Sequence, residues 1–313
     1  YTPEQFEKLK NWCVSHIGEQ YHFNGTPEQQ YVEYLRVLRD YLEVFQPALQ
    51  NHEDSIGGIP LFWYGVYKGY LNDIRQMPMD LNSFDKNHLT PLHIASFYAY
   101  PQTFEWLLTQ GVDLTKVDKE NRTALHHALY LTTLTTTDIE NTKLLFAERL
   151  IALAPELLIH ADNSGTTPIH IMATTLVFSE LLASVCKEQP HYQELVDNYG
   201  NHPIHLAILN APEIASWMLD NPAVSNIPLQ KNHQYPIHMI AIQGSLDLMK
   251  KCCEHSVIEI QDDYLKTPLI LAAEYQHPEI VNYLLEKGAN PDHKDLFGKT
   301  YKDYVQRPGA NPR

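Results

Sequence analysis

The sequence predicts an all-α fold: an α-solenoid of about seven repeated helix pairs, with a helical cap before it and a polar cap after it. Three observations carry that expectation. A short motif, "TPLHIASF" at 90–97, returns as "TALHHALY" (123–130), "TPIHIMAT" (167–174), "HPIHLAIL" (202–209), "YPIHMIAI" (235–242) and "TPLILAAE" (267–274), after a weaker copy, "IPLFWYGV" (59–66). Its proline position is held by Pro60, Pro91, Ala124, Pro168, Pro203, Pro236, Pro268 and Tyr301, in steps of 31, 33, 44, 35, 33, 32 and 33 residues. An Asp-led polar stretch precedes most copies: "DKNHLT", "DKENRT", "DNSGTT", "DNYGNH", "DDYLKT". A period of this size sets the architecture, because one helix pair cannot bury its apolar face alone and must stack on a neighbour.

Residues 1–53 lack the repeat and read as an N-terminal helical cap or small helical module. "TPEQ" opens a helical pattern at 2–5 and again at 26–29. Each places Thr at the N-cap, Pro at the first helical position and Gln three residues after the cap. The second pattern sets Tyr31, Tyr34, Leu35, Leu38, Tyr41, Leu42 and Phe45 at spacings of three and four, an apolar stripe that must be covered. The degenerate first repeat, with Trp63, Tyr64 and Tyr67, is the economical surface for it.

Residues 54–294 carry the repeats, starting near 54, 85, 118, 162, 197, 230 and 262. The polar turn leads to a first helix that, in the fullest copies, opens on Thr and Pro. Thr accepts an orphan backbone N–H, and Pro lacks a donor that would go unused there. A second helix follows, as in "TFEWLLTQG", "EIASWMLDN" or "EIVNYLLEKG", the last closing in "GANPDHKD" with glycine at its C-terminal side. The step of 44 adds about eleven residues near "YLTTLTTTDIENTK" (130–143), expected as a longer turn between the helices of the third repeat. Residues 295–313 begin as another repeat, "DLFGKTYKDYVQ", then turn polar, the pattern of a C-terminal cap.

This combination of turn, T-P-L-H-x-A and paired helices resembles the ankyrin repeat over roughly residues 54–304. The resemblance implies that His93, His126, His170, His205 and His238 are structural, bonding backbone groups of turns within and between repeats. A row of metal ligands is the rival reading, and stacked repeats hold equivalent positions about 10 Å apart, too far for shared bonds of about 2 Å. Ankyrin-repeat proteins typically bind another protein on the concave side, built from turn tips and first-helix ends. By position, that implies Phe97, Tyr98, Arg122, Tyr130, Tyr199, Tyr264 and Tyr275 as partner-binding candidates. Phe97 and Tyr130 equally fit a role filling space between helices. The resemblance also extends to ankyrin-repeat effectors that intracellular bacteria deliver into host cells, with a eukaryotic adaptor fitting nearly as well.

The bulk properties narrow the function. A net charge of −15, with 38 acidic against 23 basic residues, argues against a nucleic-acid partner. No apolar run is long enough for a membrane span. Four cysteines are too few for a disulfide scaffold, which points to an intracellular, cytoplasmic setting. The opening "YTPEQFEKLK" is polar, unlike a secretory signal, and without an initiator Met the chain fits a fragment. No P-loop, Rossmann glycine loop, HExxH or GxSxG pattern is present, and "CCEH" (252–255) lacks a second Cys/His pair at zinc spacing. The expectation is a monomeric, non-catalytic adaptor or scaffold without cofactor. The alternative is an enzyme, such as a Cys–His hydrolase using Cys13 or Cys186, with catalytic residues in the N-terminal segment or a missing region.

Overall fold

In a computed structural model, residues 80–131, 135–188, 191–229 and 231–305 are described, with isolated positions between 55 and 75. The expected helices of residues 1–53 lie outside the described residues. Apart from a hairpin of two two-residue strands, the described elements are helical. The strands β1 (Ser55–Ile56) and β2 (Ile59–Pro60) run antiparallel, Ser55 opposite Pro60 and Ile56 opposite Ile59.

The chain divides into two units, one ending at Asp118 and one starting at Lys119. In the first unit, α1 (Pro91–Tyr98) and α2 (Pro101–Thr109) form a helix pair. Val66 and Ile94 are buried at its centre, with Tyr67, Leu81, Leu89 and Trp106 packed around them. Phe104 and Leu107 of α2 are fully buried.

The second unit repeats the pair. Its helices are α3 (Ala124–Leu129), α4 (Thr137–Leu153), α5 (Pro168–Met172), α6 (Ser179–Glu188), α7 (Pro203–Asn210) and α8 (Pro212–Met218). They continue with α9 (Pro222–Ser225), α10 (Pro236–Gln243), α11 (Leu246–Cys252), α12 (Pro268–Glu274), α13 (Pro278–Glu286) and α14 (Tyr301–Val305). Each first helix packs on its own second helix and on neighbouring first helices: α7 touches α8 and α10, and α10 touches α11 and α12.

The alanines of the motif explain the close approach. Ala95, Ala128, Ala207 and Ala272 hold the motif's sixth position and are buried, their small side chains letting the helices approach closely, while Met172 and Ile240 stand at that position in two other copies and are buried as well. Leu125, Ile169, Ile204, Ile237 and Leu269, one turn earlier, fill the space between layers. At the carboxyl end, α14 packs on α12 and buries none of its own residues, leaving Lys302, Asp303 and Val305 exposed. Tyr304 ties it down by donating from its hydroxyl to the Asp295 carboxylate.

The third repeat differs from the expected long turn. Its extra residues are shared between the link 130–136 and α4, whose 17 residues exceed every other second helix. Asp138 and Glu140 in the first turn of α4 favour helix there, because they face the positive end of its dipole.

Candidate functional site: turn tips and first-helix ends

Five of the turns are built the same way. The leading aspartate places Oδ1 to accept from the backbone N–H groups two and four residues on. Asp162 accepts from Ser164 (2.8 Å) and Thr166 (2.9 Å), Asp197 from Tyr199 (2.9 Å) and Asn201 (2.8 Å), and Asp262 from Tyr264 and Lys266 (both 2.9 Å). Asp85 and Asp295 do likewise. This Asx geometry forces the residue three after the aspartate into the left-handed region. His88, Asn121, Gly165, Gly200, Leu265 and Gly298 occupy that register, all with positive φ, and His233 takes a positive φ at the equivalent place of a turn that has no leading aspartate. At Gly165 a Cβ would stand 2.7 Å from the Asn198 backbone nitrogen, so only glycine fits.

Successive tips in the second unit are tied by backbone bonds. Asn163 donates to the Glu120 carbonyl and Asn198 to that of Ser164 (both 2.9 Å), Asp263 to Asn232 (3.2 Å) and Leu296 to Tyr264 (2.9 Å). Where the residue two after the aspartate is aromatic, its side chain projects outward, whereas Ser164 bonds back to Asp162. Tyr199 is 70% exposed, Tyr264 49% and Phe297 65%. Arg122 is paired with Glu120 at 2.9 Å.

The motif histidines join turn to helix. Nδ1 of His93, His126, His170, His205 and His238 accepts the N–H of the residue three before it, at 3.0 to 3.2 Å. Nε2 then reaches a carbonyl further along: Thr166 from His126 (3.3 Å), Asn201 from His170 (3.2 Å), Ile227 from His205 (3.1 Å), and Ile260 from His238 (3.1 Å). A ring that accepts at Nδ1 and donates at Nε2 is neutral. Burial pushes His126 and His205 from 6.5 down to about 4, and lowers His170 and His238 as well.

The first-helix ends carry the other candidates. Tyr98 is 46% exposed, Tyr130 51% and Tyr275 37%, while Phe97 is half-buried. In the first unit Tyr98 is the hub of an aromatic cluster. Its ring lies 5.0 Å from Phe97 and 6.2 Å from Tyr67, both edge-on, and 5.7 Å from Tyr100, stacked. Tyr67 donates to the Asp85 carboxylate (2.5 Å) and Tyr100 to the Tyr67 carbonyl (2.8 Å). Burial, with that carboxylate beside it, pushes the Tyr67 phenol up to about 12.

Tyr130, in the second unit, is held by a residue no motif marks. Lys143 of α4 is buried and donates to the carbonyls of His127 (3.1 Å) and Tyr130 (2.7 Å), closing the carboxyl end of α3. Burial brings its pKa down to about 8. The repeat pattern marks neither Tyr100, Phe297 nor Lys143 as part of these surfaces, and it offers Tyr67 only as a cover for the N-terminal stripe. Phe297 has a signal, its place two residues after the aspartate of "DLFGKT". Tyr67 has one too, standing in the first repeat at the register of Tyr98, 31 residues earlier; Tyr100 and Lys143 have none.

The cysteines lack the setting of a nucleophile. Burial pushes Cys186 and Cys252 up to about 12 and Cys253 to about 11, the opposite of an activated thiol. Cys13 lies outside the described residues. Among the described residues, no three His, Cys, Asp or Glu side chains are grouped to hold a metal ion.

Known proteins place these features in a family. The family description "Ankyrin repeats (3 copies)" matches residues 221–295, and "Ankyrin repeat" matches 87–119. These two segments of the chain are ankyrin repeats. It is 27% identical over 216 residues to the human transient receptor potential cation channel subfamily A member 1, covering 67% of this chain and 18% of that one. It is 27% identical over 158 residues to mouse Rabankyrin-5, covering 50% and 13%. To the probable 26S proteasome regulatory subunit p28 of Saccharomyces cerevisiae it is 32% identical over 150 residues, covering 46% and 64%. The chain thus spans less than two thirds of each of these relatives. No helix among the described residues is long and apolar enough to cross a membrane.

Proposed function

We propose that this chain is a non-catalytic protein-interaction module, an adaptor or scaffold whose partner protein lies against the turn tips and first-helix ends. The observation that carries the reading is the exposure of Tyr98, Tyr130, Tyr199 and Tyr264 on backbone held by Asx turns, tip-to-tip bonds and capped helices. Large aromatics on a rigid frame lose little conformational entropy on binding and are enriched at interface hot spots. Phe97, Arg122 and Tyr275 belong to the same surfaces. Within this reading, residues 1–53 form an N-terminal cap, 54–294 the repeats and 295–313 a C-terminal cap, and the chain works as a monomer inside the cell. The raised thiols of Cys186, Cys252 and Cys253 support the non-catalytic assignment.

The test is affinity capture from eukaryotic lysate with the native chain and with a variant carrying Tyr98→Ala, Tyr130→Ala and Tyr199→Ala, both folded by circular dichroism. A protein retained by the native chain and lost from the variant is the expected result. Equal retention would move the interface elsewhere and refute the assignment.

A further inference from the structure

We infer that the Tyr98 cluster of the first unit recognises a cationic side chain, the arginine or lysine of a basic segment in the partner protein. The inference rests on the interaction-module reading and specifies the chemistry at one of its surfaces. Aromatic rings attract cations through the electron density of their faces, and the attraction grows when the ring is electron-rich. The cluster supplies such rings. Tyr67 donates its phenol proton to the Asp85 carboxylate, which polarises the ring toward negative, and the Tyr67 and Tyr98 rings are 6.2 Å apart.

The unit already uses this chemistry internally. Arg75 lies 5.9 Å above the Trp106 ring and Lys116 lies 5.8 Å above Phe84. Among the described residues, no cation stands over Tyr98, although 46% of its surface is open. Charge complementarity points to the same ligand. Residues 75–118 carry five carboxylates (Asp80, Asp85, Glu105, Asp113, Asp118) against Arg75, Lys86 and Lys116, of which Arg75 stands over Trp106 and Lys116 is held by Asp113 and Phe84. An apolar partner would gain from the rings alone and nothing from that field. A basic segment gains from both.

The experiment measures binding of a short, end-capped arginine peptide to the native chain, Tyr98→Phe, Tyr98→Leu and Tyr98→Ala. Tyr98 packs at the surface, and circular dichroism confirms each fold before titration. Tyr98→Phe keeps an aromatic face and is expected to bind within about twofold of native, whereas the Leu and Ala variants weaken by about three- to tenfold. That loss persists at roughly 1 M salt, where long-range attraction is screened. Equal affinity of all four proteins, or a dependence on salt alone, overturns the inference and reduces the peptide to a counter-ion of an acidic surface. An end-capped leucine peptide binding more tightly than the arginine peptide, and lost in Tyr98→Ala, overturns the cationic ligand while leaving the interaction surface in place. If neither peptide responds to Tyr98 and lysate capture is also indifferent to it, the surface reading itself fails.

Discussion

Acidification should unzip the second unit, and the histidine geometry sets how far. Nδ1 of His126 and His205 accepts a backbone N–H, so protonation there replaces an attraction with two opposed donors. Burial has already pushed both from 6.5 to about 4. For His126, Asp162 opposes that fall while His160 and His127 add to it; for His205, Asp197 opposes while His202 and His170 add. Between about pH 4 and 6.5 the unfolded chain therefore binds more protons than the folded one. Stability from these groups is complete above about pH 6.5 and is lost as pH falls toward 4. At ~1.4 kcal/mol per pKa unit, the displacement corresponds to about 3–4 kcal/mol for each histidine, and about 7 for the pair. His170 and His238 shift the same way and add to it. Urea unfolding followed by circular dichroism, at steps from about pH 7.5 to 4.5, measures the slope. The midpoint should fall steeply below about pH 6.5, and the variant His126→Asn, His205→Asn should be less stable at neutral pH with a shallower slope. An unfolding free energy that stays flat over this range, or a slope unchanged in the double variant, would refute the neutral, doubly bonded histidines.

Other consequences follow from backbone and burial. Leu265 holds a left-handed φ of 55° at a tip where other turns use glycine, so Leu265→Gly should raise stability by about 0.5–1 kcal/mol in urea unfolding. Gly244 has φ 92°, and a Cβ there would stand 2.4 Å from the His277 ring, itself fixed by a 2.8 Å bond to the Ile242 carbonyl. Gly244→Ala should cost about 2–4 kcal/mol, whereas Gly111→Ala, with nothing within 4 Å, should cost about 1 kcal/mol for its φ alone. Cys186 and Cys252 should resist maleimide at neutral pH until the chain is denatured, as peptide mapping can show. Rapid, stoichiometric labelling of folded Cys186 would revive a thiol nucleophile.

The repeat architecture was legible because its causes are local. Asp at the turn, Thr and Pro at the helix start and a small alanine within it recur at near-constant spacing, and each has a steric or hydrogen-bonding reason to be there. The substitutions were tolerable for reasons a pattern does not express: at His202 and Tyr235, which replace the N-cap Thr, the backbone N–H still reaches the motif histidine. The third repeat was less legible. A step of 44 counts extra residues without saying how many join a helix, and the acidic first turn of α4 and the burial of Lys143 decide that. The clustering of Tyr67 and Tyr100 with Tyr98 was only partly legible. Tyr67 stands 31 residues before Tyr98, the step from Pro60 to Pro91, so the period sets both at one register, whereas Tyr100, two residues on, stacks on Tyr98 through a local turn that the pattern does not describe.

The most direct test of the interaction surface is amide hydrogen exchange on the complex of this chain with the protein it captures. The account predicts slowed exchange at the tips 86–88, 198–200 and 263–265 and at the ends of α1 and α12. Protection confined to the second helices α2, α4, α6 and α13, with the tips unchanged, would contradict it.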